Sequence, residues 1–241
     1  MPDRTRRNFL FQAGTTISGL LIPTSLTLAQ TTRTTNHKPK QTKKEEDEGE
    51  VTPNEDLMRE HGLLRRVLLV YDESVRRLNA KHDFDPAIVT SCADIVRQFV
   101  EDYHEQLEQQ YIFPRLQKAG KLPMLVSTLL DQHRIGRVLT DKIKQSAHDA
   151  LKNKTDARDL TDSIRKFQSM YRPHAAWEDT VLFPEFKKVV SAHEYDSLGE
   201  DFERIEHEKF GQDGFEMMLD KVHQLEMKLG IGDPSHYTPQ P

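Results

Sequence analysis

The sequence predicts an all-α fold: an up-down-up-down four-helix bundle with additional C-terminal helices. Three observations predict it. Apolar residues recur every three or four positions through four stretches, each roughly 25–35 residues long. Each stretch opens on a capping residue or a proline, as helix starts do. No segment alternates polar and apolar residues in the manner of a strand.

Composition agrees. Of 241 residues, 30% are charged and 7% aromatic, a balance that suits a soluble helix-rich chain. The net charge is −5, with acids and bases mixed, and no basic stripe points to nucleic acid. The single cysteine, Cys92, excludes an intramolecular disulfide framework and a cysteine-based zinc site. Its setting, IVTSCADIV, reads as a small core residue on a helix.

Taken in order, residues 1–29 read as a secretory signal. Arg6 and Arg7 precede a mostly apolar stretch without charge from Asn8 to Thr32, and Thr27 and Ala29 are small residues before a cut after Ala29. Gly14, Gly19 and Pro23 argue against a membrane-spanning helix. Thr5-Arg6-Arg7-Asn8-Phe9-Leu10 resembles the twin-arginine export motif of bacteria, which implies passage of an already folded chain to the periplasm. Asp3, Arg4, Arg6 and Arg7 sum to +2, so a mature chain would carry −5 − 2 = −7. Residues 30–51 contain almost nothing apolar and read as a disordered linker.

Thr52-Pro53-Asn54-Glu55 is a helix start with a capping box. Leu57, Leu64, Leu68, Tyr71, Val75 and Leu78 then recur at helical spacing to about Lys81. A second helix starts at Asp85-Pro86 and runs to Lys118, before Gly120. A third is expected over about Pro123–Lys152 and a fourth over about Asp156–Val190, completing the bundle domain at 52–190. Ser191-x-x-Glu194 caps a fifth helix that ends near Gly211, and a sixth covers about Gly214–Leu229. Residues 230–241 read as a disordered tail. Pro114 and Pro184 fall inside helices, where a proline removes a hydrogen bond and crowds the preceding turn. Both helices are therefore expected to bend or loosen at the same depth.

The chemistry lies in a repeat. His104-x3-Glu108-x4-Phe113-Pro114 is followed seventy residues later by His174-x3-Glu178-x4-Phe183-Pro184. On a helix, residues four apart share one face. The other two helices each supply a histidine on the apolar stripe: His61 beside Leu57, Leu64 and Leu68, and His133 beside Leu129, Leu130 and Val138. The chain thus reads as a duplicated helix pair, each copy carrying His…HxxxE. Four imidazoles and two carboxylates facing one core need partners. They are too many for one tetrahedral zinc and suit two metals with carboxylates bridging between them. Phe113 and Phe183 read as core residues able to wall the site, and Tyr103, Tyr111, Tyr171 and Trp177 flank it as packing. His207, with Glu203 and Glu206 near it, reads as a surface residue or one that supports the site from behind its ligands, and the remaining histidines read as surface residues.

The pattern H…HxxxE…H…HxxxE on a four-helix bundle resembles the hemerythrin-like (HHE cation-binding) family of di-iron proteins. The resemblance implies His61, His104, Glu108, His133, His174 and Glu178 as metal ligands. It also implies two non-haem iron ions in an oxo- or hydroxo-bridged centre, other divalent metals remaining open. The sequence departs from the oxygen carriers of that family, because Arg137 stands four after His133 where they have a fifth histidine. Asp179 offers an alternative carboxylate, but the repeat pairs Glu178 with Glu108 and Asp179 with Gln109. The four-histidine form looks more like the members linked to nitric oxide, iron–sulfur repair and iron or oxygen sensing. The expectation is therefore a cell-envelope protein that binds, senses or reacts with O2, NO or H2O2, served by a redox partner the sequence does not name. The alternative is a structural or iron-holding bundle without redox turnover. No catalytic residue is assigned, since neither a nucleophile–histidine arrangement nor a phosphate loop is present. A monomer without nucleic acid or a membrane span is expected.

Overall fold

The computed structural model describes residues 51–82, 85–153, 157–211 and 214–239. The expected signal peptide, and the expected linker up to residue 50, lie outside the described residues. Among the described residues the fold is helical throughout, with no strand.

Helix α1 is Pro53–Ala80. Thr52 caps it, its Oγ1 accepting from the Glu55 N–H at 3.3 Å. Lys81 closes it in the left-handed region at φ 54, donating its N–H to the last turn. Helix α2 covers 87–118, its start fixed by Asp85, whose Oδ1 accepts from the Ala87 N–H at 2.9 Å. Helix α3 is Pro123–Asn153 and helix α4 covers 158–189. Helix α5, Ala192–Phe210, is capped by Ser191, whose Oγ accepts from the Glu194 N–H at 3.2 Å, and stops at Gly211, φ 79. Helix α6 is Gly214–Leu229.

Packing runs α1 to α2, α2 to α3, α3 to α4 and α4 back to α1, which closes the antiparallel bundle. Helices α5 and α6 lie outside it, both against α1 and both touching α2. The core is a continuous apolar cluster from Leu57 to Ile231, with Cys92 inside it. Across α1 and α4 the Gln168 amide donates to the Leu68 carbonyl at 3.1 Å and to Asp72 Oδ1 at 2.9 Å. No described helix is long and apolar enough to cross a membrane.

The repeated Phe-Pro pairs have a local consequence. Helix α2 widens to a π-helical turn over Glu108–Ile112, and α4 does so over Glu178–Leu182. The Phe113 N–H reaches the Glu108 carbonyl, and the Phe183 N–H the Glu178 carbonyl, five residues back in each case. Each wide turn directly precedes its proline, which has no N–H to give and crowds the turn before it. Helix α2 carries a further π stretch, Val96–His104, where α4 is regular α-helix.

Three local expectations are corrected. Val138 is 48% exposed. Five residues from His133 is about 140° around a helix, so the buried stripe of α3 passes instead through Val126, Leu129, His133, Thr140 and Ile143. Trp177 is 54% exposed, pointing away from the core that holds its neighbour Glu178. Beyond Leu229, Ile231 is buried and Pro234–Tyr237 forms a 3-10 turn capped by Asp233, where a disordered tail is expected.

Candidate metal centre

All six repeat-derived candidates face one layer at the centre of the bundle, each no more than 3% exposed. α1 supplies His61, α2 supplies His104 and Glu108, α3 supplies His133, and α4 supplies His174 and Glu178. They form two groups whose ligand atoms lie within 4.8 Å of one another: His61, His104, Glu108 and Glu178; and Glu108, His133, His174 and Glu178. Both glutamates belong to both groups. The imidazoles pair accordingly, with ring centroids 4.6 Å apart for His61 and His104, and 5.0 Å for His133 and His174.

Every histidine turns Nε2 inward. His61 Nε2 lies 3.3 Å from Glu178 Oε2, and His174 Nε2 lies 3.1 Å from Glu178 Oε1. His133 Nε2 lies 3.4 Å from Glu108 Oε2, and His104 Nε2 lies 3.7 Å from Glu108 Oε1. Every Nδ1 points outward to a polar side chain. His61 Nδ1 meets Asp179 Oδ1 at 2.6 Å and His104 Nδ1 meets Glu60 Oε2 at 2.6 Å. His174 Nδ1 meets Gln132 Oε1 at 2.8 Å, and His133 Nδ1 meets the Gln109 amide at 2.9 Å. In this rotamer the Gln109 nitrogen faces the ring; a half-turn of the amide presents its oxygen in the same place. An acceptor behind Nδ1 keeps the proton there and leaves the Nε2 lone pair free for a cation.

The layer fits a cation on the evidence of its own unsatisfied atoms. Both oxygens of Glu108, both of Glu178, and Nε2 of His104 and His133 are buried with no hydrogen-bond partner. A buried polar group left in that state costs about 1–3 kcal/mol, and more if charged. The protonation pattern carries the same strain. Burial, with Glu178 beside it, pushes the Glu108 carboxyl well up. Burial also opposes the charge on Glu178, but His174 and His61 outweigh it and hold this carboxyl well below the usual range. Burial likewise opposes a charged His61, yet its hydrogen bond to Asp179 and the nearby Glu178 carboxylate lift its imidazole to about 9. Burial depresses His133 to about 3. Burial therefore works against charge across the layer, a cost that a bound cation would offset.

The walls follow the repeat. Phe113 stacks on His133, centroids 5.7 Å apart and planes at 23°, and Phe183 stacks on His61 at 5.6 Å and 20°. Tyr171 lies beside His174 and donates its hydroxyl to Glu105 Oε1 at 2.8 Å. That hydroxyl passes so close to α3 that a Cβ on Gly136 would lie 2.0 Å from it. Arg137 turns away from the layer to α2, donating Nη1 to Asp102 Oδ1 at 2.8 Å and facing Glu105.

Asp179, weighed as a ligand in the sequence, stands behind His61 and also pairs with Arg65. His207 is half-buried and belongs to neither group. Sequence reasoning missed Glu60, Gln109 and Gln132 as partners of histidines. Their one signal is adjacency: Glu60 and Gln132 precede a repeat histidine, and Gln109 follows a repeat glutamate. It also missed a buried acidic group, Asp56, Glu60 and Glu206, which adjoins the layer through Glu60.

The model of the hemerythrin HHE cation binding domain matches residues 52–186 and again residues 124–227. The second match starts 72 residues after the first (124 against 52), which is also the offset between the α1 and α3 histidines (133 against 61). An uncharacterized protein of Mycobacterium bovis is 47% identical over 195 residues, covering 80% of this chain and 76% of its own length. Uncharacterized proteins from two strains of Mycobacterium tuberculosis match to the same extent. No solved structure matches the chain. The family pattern can be laid on the chain twice, each time beginning on a helix that brings a histidine to the central layer, and the chain accordingly belongs to the hemerythrin HHE cation-binding family of metal-binding helical proteins.

Proposed function

We propose that the chain holds two iron ions, one among His61, His104, Glu108 and Glu178 and the other among His133, His174, Glu108 and Glu178. We propose further that this pair binds, senses or reacts with a small diatomic or a peroxide: O2, NO or H2O2. The observation that carries the reading is the sharing of both glutamates by both groups, with all four carboxylate oxygens unpartnered. Bound iron would supply an open coordination position and the Fe(II)/Fe(III) couple. The chain's own residues set the conditions. Asp179, Glu60, Gln109 and Gln132 hold the four rings with Nε2 inward. Phe113 and Phe183 exclude water from two of them. Arg137, tied to α2, withholds a fifth ligand and leaves the two positions with equal sets. Export to the cell envelope by the twin-arginine route belongs to the same proposal, supported by Arg6, Arg7 and the uncharged stretch after them.

The test is anaerobic loading with ferrous iron, metal analysis, and optical spectra on adding O2, NO or H2O2. About two irons per chain and a ligand-dependent spectrum are expected. A folded chain that takes up no iron overturns the proposal. The burial of all six side chains favours a second reading, an iron-holding bundle without turnover. Two irons whose spectrum ignores all three ligands would select it.

A further inference from the structure

The two candidate positions have equal ligand sets and unequal support. His61 and His104, at one position, direct Nδ1 at the carboxylates of Asp179 and Glu60. His133 and His174, at the other, direct it at the carboxamides of Gln109 and Gln132. The repeat makes this a matched comparison. Asp179 follows Glu178 as Gln109 follows Glu108, and Glu60 precedes His61 as Gln132 precedes His133. The geometry of support is the same in both copies, while the acids have gathered at one position.

A carboxylate accepting Nδ1–H raises the basicity of Nε2 more than an amide does, and it adds negative charge close to the cation. On the acid side Arg65 pairs with Asp179, and Arg59 lies 4.0 Å from Asp56, which neighbours Glu60. On the amide side the cation Arg137, one turn from His133, is paired with Asp102 and Glu105, so the two positions differ chiefly in the groups behind Nδ1. We infer that the two metal positions are of unequal strength: the His61/His104 position fills first and holds its ion, and the His133/His174 position fills last and exchanges. The inference rests on the two-metal reading above.

The test is calorimetric and optical titration of the metal-free chain with Co(II). Two binding steps are expected, with dissociation constants separated by about tenfold or more. Replacing both acids, Glu60→Gln with Asp179→Asn, should weaken the tight step by about 10–100-fold and merge the two. The opposite pair, Gln109→Asp with Gln132→Glu, should tighten the weak step, and it decides the matter if the first pair fails to fold by circular dichroism. Two equal steps in the native chain, or unequal steps that neither exchange moves, overturn the inference and leave the two-metal reading standing. Fewer than two Co(II) per chain overturns both.

Discussion

Helices α1 and α2 present the same three candidate ligand types as α3 and α4, with the same HxxxE spacing, but the two pairs differ in most of what surrounds them. Each pair contributes one histidine from its first helix, HxxxE from its second, and a wide turn ahead of a proline. Outside that layer the pairs diverge. α2 has a second π stretch where α4 has none. α1 and α2 are each covered by both outer helices. Three residues after its histidine, α1 carries Leu64 and α3 carries Gly136, because Tyr171 fills the space there. The difference teaches where the constraint lies. A cation layer fixes ligand identity and depth along the axis, and leaves adjacent packing free to change.

The largest effect should come from the two residues both positions share. Glu108→Ala and Glu178→Ala should each take iron from about two per chain to well under one, read by metal analysis after anaerobic loading. Loss of a single iron would break the equivalence by giving that carboxylate to one position. Next, Phe113→Ala and Phe183→Ala should each cost about 3–5 kcal/mol, read from urea unfolding, and by similar amounts, since each ring stacks on a histidine of the other pair. Unequal losses would show that the walls have diverged along with the rest.

A smaller effect should change sign between the pairs. Gly136→Ala puts a methyl against the Tyr171 hydroxyl and should cost about 1–3 kcal/mol. At Gly62 a Cβ meets nothing within 4 Å, so Gly62→Ala should stabilise α1 by up to about 1 kcal/mol. The smallest effect lies outside the metal layer. Arg76 and Arg77 hold Glu73 at about 2 against the cost of burial, and Arg76 leads. The folded value is below the unfolded one, so this pairing stabilises above the ordinary carboxylate range and is lost as pH falls from there toward about 2. Glu73→Gln should lower stability at neutral pH by less than about 1 kcal/mol, since Arg76 is largely exposed. It should do so equally with and without metal, because residue 73 lies about 18 Å along the axis from His61. A metal-dependent effect would show that the layer reaches that far.

Much of this was legible in the sequence, for local reasons. Thr52 and Ser191 announce helix starts through their own hydroxyls, and Gly211 announces a stop through its φ. The six candidates stood out because duplication wrote them twice. The histidine partners did not, because each is one residue from a candidate ligand, and whether it meets solvent or a ring is decided on another helix or by a rotamer. The glycine at 136 reads as a defect in a helix until Tyr171 is in place against it. Val138 was misplaced by phase, since a sparse apolar pattern does not distinguish a residue on the stripe from one about 140° away.

The support of the histidines crosses between the copies. His61 of the first copy leans on Asp179 and Phe183 of the second, and His133 of the second leans on Gln109 and Phe113 of the first. Only His104 and His174 find their Nδ1 partner within their own hairpin. Each half of the chain is therefore an unfinished socket that its sister completes. Separating them at the 119–122 turn would yield two hairpins that regain a metal layer only by mutual complementation, as two copies of one ancestral hairpin would have had to do before they were joined.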